Sequence, residues 1–472
     1  MSPYRTCVIG LAVFAAIGPA NATPQIIGTN QRSSLGVTLY STGLALINDQ
    51  RKIKLTSGNN ELLFSGVSPL MINESAQLES SEEISIDQQE LLPANLTRRE
   101  LLVAHLGKTI KVIKTNPMTG EEQTVDAEIL STDPALILRI GGRIVTDVSG
   151  QLAFPGVPKN LRAKPVFRII GTALKNQNPS VRLHYLTRGF SWRADYVAMF
   201  DTKTKKLNLK TRAMLVNTSG FDLLGSQMQL VAGQVRQVTP QRRAPNAPRL
   251  MKAESMARAD VTPGLPTRQN LSGYHLYDLN GLIDLAAGTQ KQVQLLPALA
   301  LSANRILVSV NHPNIYGRAS NPDQPSHPMI QIHFANKSAD GTPLPTGTLR
   351  MYGTDKKGHR QFLGEDRLGS VPVGATAQIS TGQAFDVTVL RKQTDFKRDV
   401  MGRNSFEAAY DIRLQNGGME DEVVKVVENL SGDWTITYES AAHKRDGNQA
   451  QWRVTVPAGG HATVSYRARV KR

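Results

Sequence analysis

The chain has 472 residues, of which 40% are hydrophobic and 20% charged, and a formal charge of +16. That length exceeds one ordinary core, and the composition is globular, which excludes a membrane-embedded bundle and an unfolded polyelectrolyte. The single cysteine, Cys7, falls inside what reads as a removable leader, so the rest of the chain has no disulfide, thiol nucleophile or cysteine metal ligand.

Residues 1–22 carry Arg5, an apolar run over residues 8–17 and the small-residue ending Ala20-Asn21-Ala22. This is the form of a secretory signal peptide cleaved near Ala22, and the run is too short to span a bilayer. Cys7 precedes the apolar run, whereas a lipid-acceptor cysteine would follow it. The expectation is a periplasmic or secreted protein with no transmembrane helix after cleavage. From Thr23 the chain reads as strand after strand. Residues 36–46 (GVTLYSTGLAL) and 50–55 alternate apolar and polar side chains, as half-buried strands do, and 62–64 and 84–86 continue the pattern within an N-terminal β segment, 23–97. Residues 96–106 are the helix candidate, with Thr97 as cap, Glu100 three positions on, and Leu101, Leu102 and Leu106 on one apolar side.

Five short strands follow between residues 108 and 155, broken at Asn116-Pro117, Asp133-Pro134, Gly141-Gly142 and Ser149-Gly150. Such tight hairpins predict a small β-barrel-like module over 98–160. Beyond it, three segments resemble one another: AMLVNTSGFDLLGSQMQLV, IHFANKSADGTPLPTGTLRMY and IRLQNGGMEDEVVKVV. In each, an alternating strand ends at an asparagine (Asn217, Asn336, Asn416), a polar turn follows, and a second alternating strand begins. This is the pattern of an immunoglobulin-like sandwich in which Asn satisfies turn backbone groups. The predicted fold class is all-β and multidomain: immunoglobulin-like β-sandwiches with a small inserted β-barrel-like module. The sandwich parts fall at 161–238, 271–398 and 399–472. Between the first two, residues 239–270 hold five prolines, six basic and two acidic residues, and read as a long disordered loop.

No P-loop, G-x-G-x-x-G, H-E-x-x-H or G-x-S-x-G pattern occurs. The nine histidines are scattered; His327 and His333 would face one side of a strand without an acidic neighbour and read as surface residues. No catalytic residue, metal or cofactor is expected. In residues 188–196 (RGFSWRADY), Trp192 reads as an inward sandwich anchor and Arg193 as the partner of a nearby acid, with an aromatic and charged binding face as the competing reading. Trp434, after Gly432-Asp433, reads as core. Glu365 and Asp366 are adjacent, so on a strand they point to opposite faces.

Charge is unevenly spread. Residues 23–95 hold 4 basic and 8 acidic groups, whereas residues 170–270 hold 16 basic and 5 acidic groups. A basic segment in an exported chain points to acidic glycans, anionic lipid head groups or cell-wall polymers before nucleic acid. The candidate ligand-binding residues are Arg188, Arg193, Lys203, Lys205, Lys206, Lys210 and Arg212. They act together only if the strands send them to one face; spread over both faces, they confer solubility alone.

The stretches LHYLTRGFSWRADYVA, LVAGQVRQV, GYHLYDLNGLIDLAAGTQKQVQLL, GTPLPTGTLRMYGTDKKGHRQFLGEDRLG, GQAFDVTVLRKQTDF and VVENLSGDW, in this order from about Leu183, resemble the bacterial family called domain of unknown function 4139. That domain also forms the C-terminal part of mucoidy-inhibitor-A-like proteins, and this chain resembles the short form without their coiled coil. LGKTIKVIKTNPMTGEEQTVDAEIL is also similar to the N-terminal part of short members. The resemblance implies an exported all-β protein and brings no catalytic residues. The expected function is a non-catalytic envelope protein that binds or scaffolds a polyanionic glycan or another envelope protein. The alternatives are a glycan hydrolase using dispersed carboxylates, with Glu365 or Asp366 as candidates, and a structural partner acting by strand addition.

Overall fold

The computed structural model describes residues 23–233, 235–236, 270–271, 273–318, 324–338, 341–402 and 404–471. The leader with Cys7 and nearly all of the Pro/Arg-rich segment 239–270 lie outside the described residues.

The chain forms β1 (Gln25–Ile27), β2 (Arg32–Tyr40), β3 (Leu44–Lys52), β4 (Gly58–Ser65), β5 (Gln77–Ser80) and β6 (Ser85–Leu92), then α1 (Arg98–Ala104). Short strands β7 (Thr109–Thr115), β8 (Glu122–Ser131), β9 (Ile137–Ile140), β10 (Arg143–Val145) and β11 (Gln151–Ala153) follow. Next come β12 (Val166–Ala173), β13 (Ser180–Arg188), β14 (Phe190–Asp201), β15 (Lys206–Asn217), β16 (Leu223–Ala232), β17 (Asn270–Leu271), β18 (Tyr274–Leu285) and β19 (Gln290–Asn311). The remainder supplies β20 (Met329–Ala335), β21 (Gly347–Thr354), β22 (Arg360–Leu368), β23 (Thr376–Gln383), β24 (Val387–Arg398) and β25 (Ser405–Asn416). It closes with β26 (Glu422–Asn429), β27 (Asp433–Glu439), β28 (Lys444–Asp446), β29 (Gln449–Val456) and β30 (His461–Lys471). The fold is all-β, with several sheets.

Two compact units are present: Met1–Ser191 with Val216–Gln290, and Trp192–Leu215 with Lys291–Arg472. The first contains a four-stranded sheet (β1-β4-β12-β6), a seven-stranded sheet (β17-β18-β16-β2-β3-β13-β5) and the five-stranded sheet of the inserted module. Arg51, fully buried on β3, reaches from the seven-stranded to the four-stranded sheet. It donates to the carbonyls of Ile27 and Ser65 at 2.8 Å each and lies over the Phe64 ring. Asp49, also fully buried, accepts from both Arg51 (2.6 Å) and Arg32 (2.7 Å). Burial alone would push the Asp49 carboxyl up; the hydrogen bonds from the two guanidinium groups outweigh it and hold it below its ordinary value.

The helix is shorter than its sequence pattern. Thr97 Oγ1 caps it by accepting from the Glu100 N–H at 3.2 Å, but only Leu102 is buried, while Leu106 is half exposed beyond its end. The strands after it do not close into a barrel: they form an open sheet in the order β10-β9-β8-β7-β11. One small cluster of Ile110, Val112, Ala127, Ile129 and Leu138 with Leu102 fills its inner face. The three-residue strands at both edges are too short to meet around so small a core.

The second unit has a ten-stranded set in the order β22-β21-β14-β15-β19-β26-β29-β28, with β20 joining β19 and β23, and a four-stranded sheet, β24-β25-β30-β27. Inward side chains of β24, β25, β27 and β30 pack on those of β26 and β29, with Trp434, Trp452 and Tyr466 essentially enclosed. Trp192 is buried as well. Both tryptophans expected as core anchors are therefore core residues. Gly432 precedes Trp434 at φ +85°, and a Cβ there would meet the Lys471 carbonyl oxygen at 2.8 Å, so only glycine allows the approach.

The three similar segments share one construction. Asn217 Nδ2 donates to the carbonyls of Phe221 and Leu285, Asn336 Nδ2 to those of Thr342 and Val371, and Asn416 Nδ2 to those of Glu420 and Val456, at 2.8–3.2 Å. The side-chain oxygen of each accepts the N–H two residues on: Ser219, Ser338 and Gly418. All three side chains are buried. In the first and third segments the following strand joins a different sheet, β15 leading to β16 and β25 to β26.

Two outcomes test this scheme. Asn416→Ala should leave buried carbonyls without a donor and cost roughly 1–3 kcal/mol in urea unfolding, and Asn416→Asp, which swaps that donor for an acceptor, should cost more. Because the Asp49 pKa is depressed in the folded state, its stabilisation is present above the unfolded carboxylate value of about 4 and is lost as pH falls through the lower folded value. Asp49→Asn should flatten that acid limb of a stability-versus-pH curve while lowering stability at neutral pH.

Candidate functional site

Strand β15 reads KLNLKTRAMLVN, and its side chains alternate strictly between exposed and buried over its first eight residues. Leu207, Leu209, Thr211 and Ala213 are buried, so Lys206, Lys210 and Arg212 share the opposite, solvent face with Asn208. On β14 the inward set is Phe190, Trp192, Ala194, Tyr196, Ala198 and Phe200, with the Tyr196 hydroxyl donating to the Pro345 carbonyl at 2.5 Å; Asp195, of the other parity, is buried beneath its partners. Arg193 and Asp195 therefore point the other way, and Arg193 is exposed. The turn joining the strands is organised by Asp201, whose Oδ1 accepts from the N–H groups of Lys203 (2.9 Å) and Thr204 (3.3 Å). Hydrogen bonds from Thr204 and the turn N–H groups hold the Asp201 carboxyl below its usual range. Lys205 takes a left-handed conformation (φ 53°), and Lys203 and Lys205 are exposed at the tip.

A chain of polar contacts crosses this face. Glu365 Oε2 on β22 lies 3.2 Å from Arg350 Nε on β21, and Arg350 donates to Asp195 Oδ1 on β14 at 2.5 Å. Gln292 on β19 donates to Asp195 Oδ2 (2.7 Å) and accepts from Arg212 (2.8 Å). The hydrogen bond to Asp195 holds the Arg350 guanidinium above its ordinary value. Arg193 thus does not pair with Asp195; Arg350, far away in sequence, takes that place.

Of the seven predicted residues, Arg193, Lys203, Lys205, Lys206, Lys210 and Arg212 lie on β14, β15 and their turn in the second unit. Arg188 ends β13 in the first unit, exposed on the face that carries Arg182 and His184. Beside the turn a cleft of about 740 Å³ is lined by Asp201, Lys203, Asn208, Asp355 and Gln361 among others. Asp355 accepts from the N–H groups of His359 and Lys357 and from Gln361, and these bonds hold it below its usual range. Both of its carboxylates are therefore shifted downward, opposite to the need of a general acid at neutral pH. Asp366 accepts the Ser380 N–H at 2.8 Å, and Glu365 faces Arg350.

His327 Nδ1 lies within 3.0 Å of the carbonyls of Ala384 and Val387, and His333 contacts Gln331. Burial, with Lys425 and Arg453 nearby, pushes the His333 pKa down. Among the described residues no three His, Cys, Asp or Glu side chains gather as metal ligands, and no helix is long and apolar enough to cross a membrane. A second, polar cleft of about 810 Å³ lies on the seven-stranded sheet of the first unit and has no counterpart in the sequence reading. Its side chains come from five strands spread between Ser34 and Leu282, so no local motif marks it.

Residues 181–472 match the family described as Domain of unknown function (DUF4139). The chain belongs to that family. The DUF4139 span begins inside β13 and includes all three asparagine-closed turns, the basic face and the Arg350–Asp195 pair. Strands β1 to β12 precede it. No curated protein matches the chain.

In this DUF4139 chain, Asp195→Ala should remove the shared acceptor of Arg350 and Gln292. The expected loss is about 1.5–3 kcal/mol, the range for a hydrogen bond to a charged group, measured by urea unfolding. Glu365→Ala, at the exposed end of the same chain of contacts, should change stability by less than about 1 kcal/mol.

Proposed function

We propose that this protein is an exported, non-catalytic binding protein of the cell envelope, whose ligand is an anionic surface polymer held on the face of β14 and β15. The observation that carries this reading is the alternation of β15, which gathers Lys206, Lys210 and Arg212 on one solvent face, with Lys203 and Lys205 at the adjoining turn and Arg193 on the neighbouring strand. The Asp195 carboxylate beside that face is paired with Arg350, which also faces Glu365. The leader-like segment 1–22 supports export to the periplasm or beyond.

Exposed cations hold an anion weakly one at a time, about 0–1 kcal/mol each, so recognition rests on their number and common direction. Screening acts over about 8 Å at physiological salt, and binding should weaken steeply as ionic strength rises. The mature protein should bind lipopolysaccharide or a sulfated polysaccharide at low salt in a pull-down or titration. Reversing Lys203, Lys206 and Lys210 to Glu should weaken that binding at least about tenfold, or roughly 1.4 kcal/mol. No binding at low salt, or binding indifferent to both salt and charge reversal, overturns the proposal.

A further inference from the structure

The polar cleft of the first unit is a saddle on the solvent face of five adjacent strands, β18, β16, β2, β3 and β13. At its centre is Gly36, in the interior of β2. A glycine inside a strand weakens it, and its usual reasons are a bulge, a bend or the close approach of another backbone or a ligand. Here Gly36 pairs in register with Asn48 on one side and Gln227 on the other. Its φ is not positive, and the register shift of β2 lies away from it, between Arg32 and Ser34. A Cβ at Gly36 would stand 3.4 Å from the Asn48 Cβ, with the Asn48 Nδ2 at 3.8 Å and its carbonyl oxygen at 3.9 Å, all ordinary contact distances. Two other strand glycines do have a packing reason: a Cβ at Gly171 would meet the Ser85 carbonyl oxygen at 2.4 Å, and one at Gly347 the Ala194 oxygen at 2.3 Å. Gly36 has none inside the protein. What its missing side chain preserves is room above β2, beside Asn48 and toward Gln227.

The chemistry around that space is mainly polar, with the exposed Leu282 of β18 beside Gln227. Ser34, Thr38, Asn48, Gln50, Gln227 and Gln229 are uncharged side chains that both donate and accept. His184 Nδ1 contacts Asn48 Oδ1, which leaves the Asn48 amide N–H groups directed elsewhere. Gln229 donates to Asp278 at 2.7 Å and keeps its oxygen as an acceptor. The charged groups stand at the two ends: Asp278 on β18, and Arg182 on β13, where Glu79 lies 3.7 Å away. At about 4.8 Å per strand the saddle spans roughly 19 Å.

We infer that this saddle is a binding site for a neutral oligosaccharide. A polyanion finds a single cation at one end. An apolar ligand would strand six polar side chains. An extended peptide would need pockets for alternate side chains, or a free sheet edge, and β16, β2, β3 and β13, four of the five strands flooring the saddle, are paired on both sides. A run of hydroxyl groups, each donor and acceptor, matches the amide and hydroxyl lining. The inference does not depend on the basic face of the second unit.

The test uses the mature full chain on an array of neutral oligosaccharides of glucose, galactose, mannose and N-acetylglucosamine, three to six units long (on the order of the roughly 19 Å span). Anionic glycans and extended peptides serve as comparison, in salt high enough to suppress charge binding. Binding to a neutral oligosaccharide is expected. Gly36→Leu, which fills the saddle, and Gln227→Ala, an exposed change that leaves the core intact, should each weaken it at least about tenfold with unchanged melting temperature. Gly36→Ala should fold normally, and the Lys203, Lys206 and Lys210 reversals should bind as the parent does. The assignment is overturned if no neutral oligosaccharide binds, if Gln227→Ala and Gly36→Leu both bind like the parent, or if only anionic glycans or peptides are retained.

Discussion

Asn217, Asn336 and Asn416 each bring a primary amide to a place where a strand leaves its ladder and the chain turns toward the next strand. A strand can donate and accept only while a neighbour runs beside it, so such turns leave carbonyls facing inward with no partner. A buried unsatisfied carbonyl costs on the order of 1–3 kcal/mol, and each turn presents two. The amide of asparagine has two donors for those carbonyls and one acceptor for the N–H two residues on. Serine lacks the second donor, and aspartate lacks both. That arithmetic explains one residue type at the same point of three turns. It also lets β15 and β16, or β25 and β26, be consecutive in the chain while belonging to different sheets.

Once the strands cross in this way, period-two burial divides each into an inner and an outer set. In the C-terminal sandwich the inner set is apolar and aromatic, with Trp434, Trp452 and Tyr466 between the layers. In the first unit the inner set includes ions: Asp49 and two arginines, with Arg51 tying one sheet to the backbone of another. A buried pair of this kind adds little stability over a hydrophobic substitute but is costly to break, so it favours one mutual arrangement of those sheets over others. The outer sets carry what the protein presents to solvent. On β15 that set is cationic, and around Gly36 it is a field of amides and hydroxyls.

Several of these features are visible in single segments. The alternation of β15, the Thr97 cap, the inward Trp192 and the turn role of the three asparagines all depend on neighbours within a few residues. Leu106 falls outside the helix because α1 stops at Ala104, and a side chain two residues beyond the end has no helix to hold it inward. The short strands of the module promised closure, yet hairpin spacing says only which strands are adjacent and nothing about whether the two outermost meet. Arg193 reads from the sequence as the partner of a nearby acid, whereas its neighbour Asp195 is taken by Arg350 across a parallel strand pair.

The amino-acid sequence by itself determined the class of structure, the positions of strands and turns, the family and the face to which each strand residue points. These follow from local sterics, from the two-residue period of a strand and from turn chemistry, none of which needs a distant partner. Tertiary structure alone decided which strands lie side by side, and therefore which outward residues become neighbours. Arg350 reaches Asp195, and Gln227 stands across Gly36 from Asn48, only because strands remote in the chain pair in one register. A register is settled by the sum of buried contacts over whole sheets, and that sum is not written in any one segment.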